Sequence, residues 1–154
     1  MSRTRSSSEQ TPLHYAYSLL ARGDYSTARL HEKLRLKGFT SQAVTETVDT
    51  LRERGHLNDT RLARGLAERF QKQGFGRCGV WAKLQQRGLT DDVIATALSE
   101  WEERADIRMA EQLIQRRFPP VALEEPKTRA RAYRFLLRRG YSASVVASVL
   151  GREE

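Results

Sequence analysis

LHEKLRLKGFTSQAV (residues 30–44), VWAKLQQRGLTDDVI (80–94) and AYRFLLRRGYSASVV (132–146) share one grammar, and it decides the fold. Each reads as an apolar-periodic run, a basic residue, a glycine, an apolar or aromatic residue and then a hydroxyl. Gly38, Gly88 and Gly140 lie 50 and 52 positions apart. Counting back from them, the fourth residue is Leu34, Leu84 or Leu136 and the eighth is Leu30, Val80 or Ala132. Six past them stands Val44, Ile94 or Val146, and ten past them Val48, Leu98 or Leu150. A self-similar period of this length is the mark of stacked structural repeats.

Every part of that grammar has a physical job. A cation before the glycine suits the negative C-terminal end of a helix, and glycine takes the left-handed position that closes it. Phe39, Leu89 or Tyr141 then folds back onto the helix, and Thr40, Thr90 or Ser142 can cap the next one. Between the glycines the helical period persists at Leu13, Tyr17 and Leu20, at Leu62, Leu66 and Phe70, and at Ile94, Leu98 and Trp101. No run alternates apolar and polar residues long enough for a strand. The chain is therefore all-α, built of three tandem three-helix repeats. Helices are expected at 13–22, 26–37, 41–54, 59–73, 77–87, 91–101, 103–117, 128–139 and 143–150. Residues 1–11 (MSRTRSSSEQT) read as a disordered tail, with repeats over 12–57, 58–101 and 102–154. FPPVALEEP (118–126) is the longest break.

The chain has 154 residues, 39% hydrophobic and 30% charged, enough for a core without disulfides or metal. A single cysteine, Cys78, excludes a disulfide framework and a multi-cysteine zinc site, and fits a reducing, cytoplasmic compartment. Without an apolar run near the ~18 residues a membrane span needs, no membrane association is expected. Twenty-seven Lys+Arg stand against 19 Asp+Glu, a net charge of +8, which points to a polyanion as partner.

That charge is segregated. Residues 26–37 carry a net +3, 76–87 another +3 and 126–139 +6 without an acid, more together than the whole chain's +8. Ordinary solvated helices mix signs, so the middle helix of each repeat reads as the polyanion-facing element. In 126–139, Arg131, Arg134 and Arg138 share one stripe at i, i+3, i+7, with Ala132 and Leu136 on the core side. Phe135 and Leu136 are expected to set apolar surface beside these arginines. A helix–turn–helix reader of DNA sequence would need base-reading side chains after the glycine. DDVIATALSEW and SASVVASVL there are acidic or apolar, so binding to single- or double-stranded DNA should be weak and non-specific.

Catalysis has little to stand on. GFGRCG (74–79) lacks the preceding strand of a phosphate loop, and His14, His31 and His56 form no i, i+4 ligand pair. Cys78 has no base at a telling spacing and reads as a small packing residue. Trp81 and Trp101 fall on apolar stripes. Glu102–Glu103 and Glu124–Glu125 would diverge on a helix. No enzyme activity, cofactor or metal is expected.

At these residues the chain resembles the RecX family, regulators of the bacterial recombinase RecA. Ser26, Leu30, Lys33, Leu34, Lys37, Gly38 and Phe39 match its S-x-x-E-L-x-x-K-L-x-x-K-G-F pattern. Gly55, Leu57, Asn58, Asp59, Arg61, Gly74, Gly76, Leu84, Arg87, Gly88 and Leu89 match a second stretch, and YRFLLRRGY (133–141) resembles its R-F-L-x-x-R-G-[YF] signature. Arg29 stands where the family usually has Glu, which removes a capping-box partner for Ser26. His56 replaces a Tyr, Leu62 and Leu66 replace aromatics, and Phe70 stands where an Arg is common, so that one basic contact is missing or shifted to Arg69.

The resemblance implies an elongated, curved molecule lying in the groove of the RecA–DNA filament. There it would impede ATP hydrolysis, strand exchange and repressor cleavage, acting as a monomer. The contact residues expected are Lys33, Arg35, Lys37, Lys83, Arg87, Arg131, Arg134, Arg138 and Arg139. Alternatives left open are a general nucleic-acid binder without a RecA target and a helical-repeat adaptor whose charge only aids solubility.

Overall fold

The structure, a computed structural model, describes residues 10–151. Over these it holds nine α-helices and no strand: α1 (Pro12–Arg22), α2 (Thr27–Lys37), α3 (Ser41–Glu53), α4 (Asp59–Lys72), α5 (Arg77–Gln86), α6 (Asp91–Ala97), α7 (Glu103–Arg117), α8 (Pro126–Arg138) and α9 (Ala143–Leu150). Of the expected tail, residues 1–9 lie outside the described residues, and Thr11 is the N-cap of α1.

The local grammar operates as read. Ser26, Thr40, Asn58, Thr90 and Ser142 each accept a hydrogen bond from the backbone N–H three residues on, satisfying one of the donors a helix start leaves free. Gly38, Gly88 and Gly140 have φ of 103°, 79° and 83°, the left-handed turn that glycine adopts without the Cβ clash. Leu34, Leu84, Leu136, Leu30, Val80, Ala132, Val44, Ile94 and Val146 are all fully buried.

Two boundaries differ from the periodic reading. α6 ends at Ala97 instead of running to 101, because Ser99 Oγ donates to the Thr96 carbonyl and Trp101 turns away to reach Asp106. The break at 118–126 contains a 3-10 turn, Pro120–Glu124, that packs on α8, and Pro126 starts α8 two residues early. Cys78 is exposed, a correction to the packing role expected of it. It sits in the first turn of α5.

Three apolar clusters form the interior, drawn from residues 16–57, 63–98 and 110–146. Ala16, Ala63 and Ala110, at a spacing of 47, occupy the same 0%-exposed place in the first helix of each trio. Helices pack chiefly within their own trio, each trio having its own core, as in a repeat array.

The seams between neighbouring trios repeat as well. At the first seam, the Thr27 N–H at the start of α2 donates to Asp59 Oδ1 at 2.8 Å. At the second, the Arg77 N–H at the start of α5 donates to Asp106 Oδ2 at 3.1 Å. Asp59 and Asp106 each stand four residues before the core alanine of their trio, where α1 has Pro12. A carboxylate from the following unit thus caps each middle helix and favours its positive end. Beside it docks the following unit's glycine turn: Gly88 against Ser26 and Arg29, and Gly140 against Gly76 and Gly79. Gly76 N–H donates to the Arg139 carbonyl at 2.9 Å, so the free amides of α5 satisfy the free carbonyls at the end of α8.

Arginines add further ties, three of them across the seams and the Arg129 one within the third trio. Arg29 donates to the Gln86 carbonyl, Arg61 to Gly55, Arg129 to Leu150 and Arg139 to Gln73. Each of these carbonyls lies at or just past the C-terminal end of a helix. Among the described residues every buried side-chain nitrogen and oxygen has a hydrogen-bond partner.

Candidate functional site

The nine cations expected to make contacts divide by burial. Lys33, Arg35 and Lys37 on α2, Arg87 at the end of α5, and Arg131, Arg134 and Arg138 on α8 are exposed. Lys83 and Arg139 are half-buried and lean on one aromatic ring: Lys83 Nζ is 4.4 Å and Arg139 Cζ 5.2 Å from the centre of Phe75. Arg139 also covers Phe135 and donates to the Gln73 carbonyl at 2.9 Å. These two belong to the wall between the second and third units. Lys37 lies over Tyr15 at 5.1 Å.

Among the described residues the only ion pair is Lys72–Glu68, at 3.1 Å on one exposed helix face. None of the nine cations is neutralised by an acid. A field of uncompensated charge attracts polyanions and steers their approach.

α8 gathers the densest part of that field. Ala132 and Leu136 are fully buried as read, and Arg131, Arg134 and Arg138 point away from them, with Lys127 continuing the stripe one turn earlier. Phe135 and Leu136 do not contribute the adjoining apolar surface. Both lie inside, Phe135 edge-on to Phe118, and the apolar neighbour of the stripe is Leu137, 41% exposed.

The repeat gives one position of this face a counterpart in each unit. Nine residues before each turn glycine stand Arg29, Gly79 and Arg131. Arg29 reaches the second unit through Gln86, and Gly79 donates to the Gly140 carbonyl of the third. Arg131 holds the same register in the third unit and makes no such bond among the described residues. Reading the sequence missed the seam residues Asp59 and Asp106 and the latch made by Arg29. The change from Glu to Arg at position 29 was visible as a departure, and the structure gives it a task.

Among the described residues Asp106 is the one carboxylate shielded from solvent, 5% exposed. Burial pushes its pKa above the ordinary 3.8, against hydrogen bonds from the Arg77 amide and the Trp101 indole that favour the charged form. Burial likewise raises the Tyr141 phenol, which donates to the Gly74 carbonyl at 2.8 Å. Both groups close the second seam and line no binding cleft. Among the described residues no three His, Cys, Asp or Glu side chains gather to hold a metal, and no helix is long and apolar enough to cross a membrane.

Residues 13–51 match the first three-helix domain of RecX and residues 105–150 match the third. A regulatory protein RecX from Stenotrophomonas maltophilia is 32% identical over 148 residues, covering 94% of this chain and 88% of the relative. The chain belongs to the RecX family. A second RecX, from Chromohalobacter salexigens, is 34% identical over 136 residues and 88% of each chain. The crystal structure of RecX from Lactobacillus salivarius has the same fold at only 15% identity, with a TM-score of 0.80 over 90% of this chain and 92% of that one. The two sequence relatives are named as regulatory proteins.

Proposed function

We propose that the chain regulates the RecA recombinase by binding as a monomer, in the cytoplasm, along the DNA-bearing RecA filament. Bound there it impedes ATP hydrolysis, strand exchange and repressor cleavage, with no catalysis of its own. Lys33, Arg35, Lys37, Arg87, Arg131, Arg134 and Arg138 face the filament, while Lys83 and Arg139 support the surface from beneath. The observation that carries this reading is the stripe Arg131, Arg134, Arg138 with Lys127. It is exposed and, among the described residues, has no acid partner.

A filament offers phosphate and protein surface together, which a face of exposed cations and the exposed Leu137 fits better than naked duplex alone. The division into units at 12–57, 58–101 and 102–154 would let one molecule touch successive protomers. DNA alone, single- or double-stranded, is bound weakly and without sequence preference, because the cations address phosphates and not base edges.

Titration into a RecA ATPase assay on single-stranded DNA tests the proposal. Inhibition at protein amounts far too small to cover the DNA is the expected result. Inhibition only near saturation would assign the chain to general nucleic-acid binding, and no inhibition would assign it to an adaptor role.

A further inference from the structure

The seam between the first two units holds an open groove that meets the filament-facing cations only at Arg87. Its larger part, about 550 Å³, lies between α1 and α4 and is lined by Tyr17, Tyr25, His56, Arg61 and Arg69. Its smaller part, about 230 Å³, is lined by Tyr25, Arg29 and Arg87. The two parts share Asp24, Tyr25, Leu62 and Leu66, so they run together across Tyr25.

We infer that this groove binds a short run of single-stranded nucleic acid, with a base against the Tyr25 ring and phosphates at Arg69 on one side and Arg87 on the other. The inference rests on the nucleic-acid part of the function proposed above and gives it a place. Four arginines line the groove against one acid, Asp24. Arg29 and Arg61 are held by backbone carbonyls, while Arg69 and Arg87 are exposed and enter no ion pair or side-chain hydrogen bond among the described residues. Tyr17 meets His56 edge-on at 5.3 Å and its hydroxyl accepts from Arg54, so that ring is committed. Tyr25 is half-buried and takes part in no ring pair or cation–π contact among the described residues, which leaves its ring able to stack.

A cation on either side of an aromatic platform is how sequence-tolerant single-strand binders work: phosphates give attachment and every base offers a face to the ring. Room for the base comes from Gly65, which lines the groove from the exposed side of α4. A Cβ built on it meets nothing within 4 Å. An acidic peptide would satisfy the arginines but would leave the Tyr25 ring without a use.

The test compares the full chain's affinity for a fifteen-residue oligothymidine and for an abasic oligomer of the same length, each followed by fluorescence anisotropy at low salt. The expected preference for the oligomer with bases is on the order of ten-fold. Gly65→Gln fills the groove, removes no contact and favours helix. It should erase that preference while leaving abasic binding as it was. Tyr25→Ala should do the same. Equal affinity of the parent for both oligomers would overturn the inference, as would a Gly65→Gln variant that keeps the preference. A glutamate-rich peptide whose binding alone is lost in Gly65→Gln would hand the groove to a protein and overturn it too. None of these outcomes bears on RecA inhibition, which the ATPase titration reads separately.

Discussion

Gly140 and Gly79 meet backbone to backbone: a Cβ on Gly140 would stand 2.1 Å from Gly79 Cα, and the Gly79 N–H donates to the Gly140 carbonyl at 3.2 Å. The corresponding Cβ on Gly88 would meet Ser26 Oγ at 2.8 Å, and on Gly38 it would meet nothing. Alanine at the three turns should therefore cost increasing amounts. Gly38→Ala pays only left-handed strain of about 1 kcal/mol. Gly88→Ala adds a movable side chain for about 2 kcal/mol, and Gly140→Ala an immovable backbone for about 3 kcal/mol or more. Urea unfolding midpoints give the order, and equal shifts at the three sites would refute the seam geometry.

Arg138 and Arg139 are neighbours with different employment. Arg139→Ala should destabilise by about 1–2 kcal/mol, from the lost hydrogen bond to Gln73 and the uncovered Phe75 and Phe135 rings. Arg138→Ala should stay within about 0.5 kcal/mol. Thermal melts of the two variants settle this, and a reversed order would contradict the burial of Arg139.

Asp106→Ala should be costly, about 3 kcal/mol, because the Arg77 amide and the Trp101 indole would be left without an acceptor in the closed seam. Chemical denaturation reads it directly, and a loss below about 0.5 kcal/mol would mean water replaces the carboxylate.

The pH response of Asp106 has an unusual sign. Its folded pKa lies above the ordinary 3.8, so the folded chain holds the proton more tightly than the unfolded one. This group's contribution is fully present below that ordinary value and is lost as pH rises through the folded value. The stability of the parent relative to Asp106→Asn should accordingly fall as pH is raised from about 4 to 6. Paired denaturation curves across that range check the slope. A difference that stays flat, or rises, would show that the two hydrogen bonds outweigh burial.

Arg131→Glu, Arg134→Glu and Arg138→Glu together should abolish inhibition of RecA ATPase while circular dichroism stays helical. The stripe is exposed and makes little stability, but three reversed charges repel phosphate or an acidic protomer surface. A folded triple variant as inhibitory as the parent would move the contact site elsewhere. Binding of the parent to DNA without RecA should be salt-labile. With about six to ten phosphates contacted, affinity falls ~10³–10⁵-fold between about 50 and 200 mM salt. Tight binding to one preferred duplex at the higher salt would contradict it.

The helices, their caps and most of the core were legible because each depends on residues close in sequence. Base–Gly–apolar–hydroxyl is a local instruction, and the positions it marks at Leu34, Leu84 and Leu136 are fully buried. The seams were not legible in the same way. Asp59 and Asp106 look like ordinary first-turn acids, and only the docking of the next unit turns them toward the amides of α2 and α5. Lys83 and Arg139 read like their exposed neighbours because a charge does not say whether an aromatic ring lies under it. The bare arginine face of α8 was visible as composition, because a helix this rich in arginine without acid has no local partner for its charge.

Pro12 stands where Asp59 and Asp106 stand in the later units. The carboxylate that reaches back to the preceding middle helix is therefore carried by the second and third units and not by the first. Each seam is closed by the unit that comes after it, so a change at Asp59 or Asp106 acts on the helix of its predecessor, 32 or 29 residues earlier in the chain.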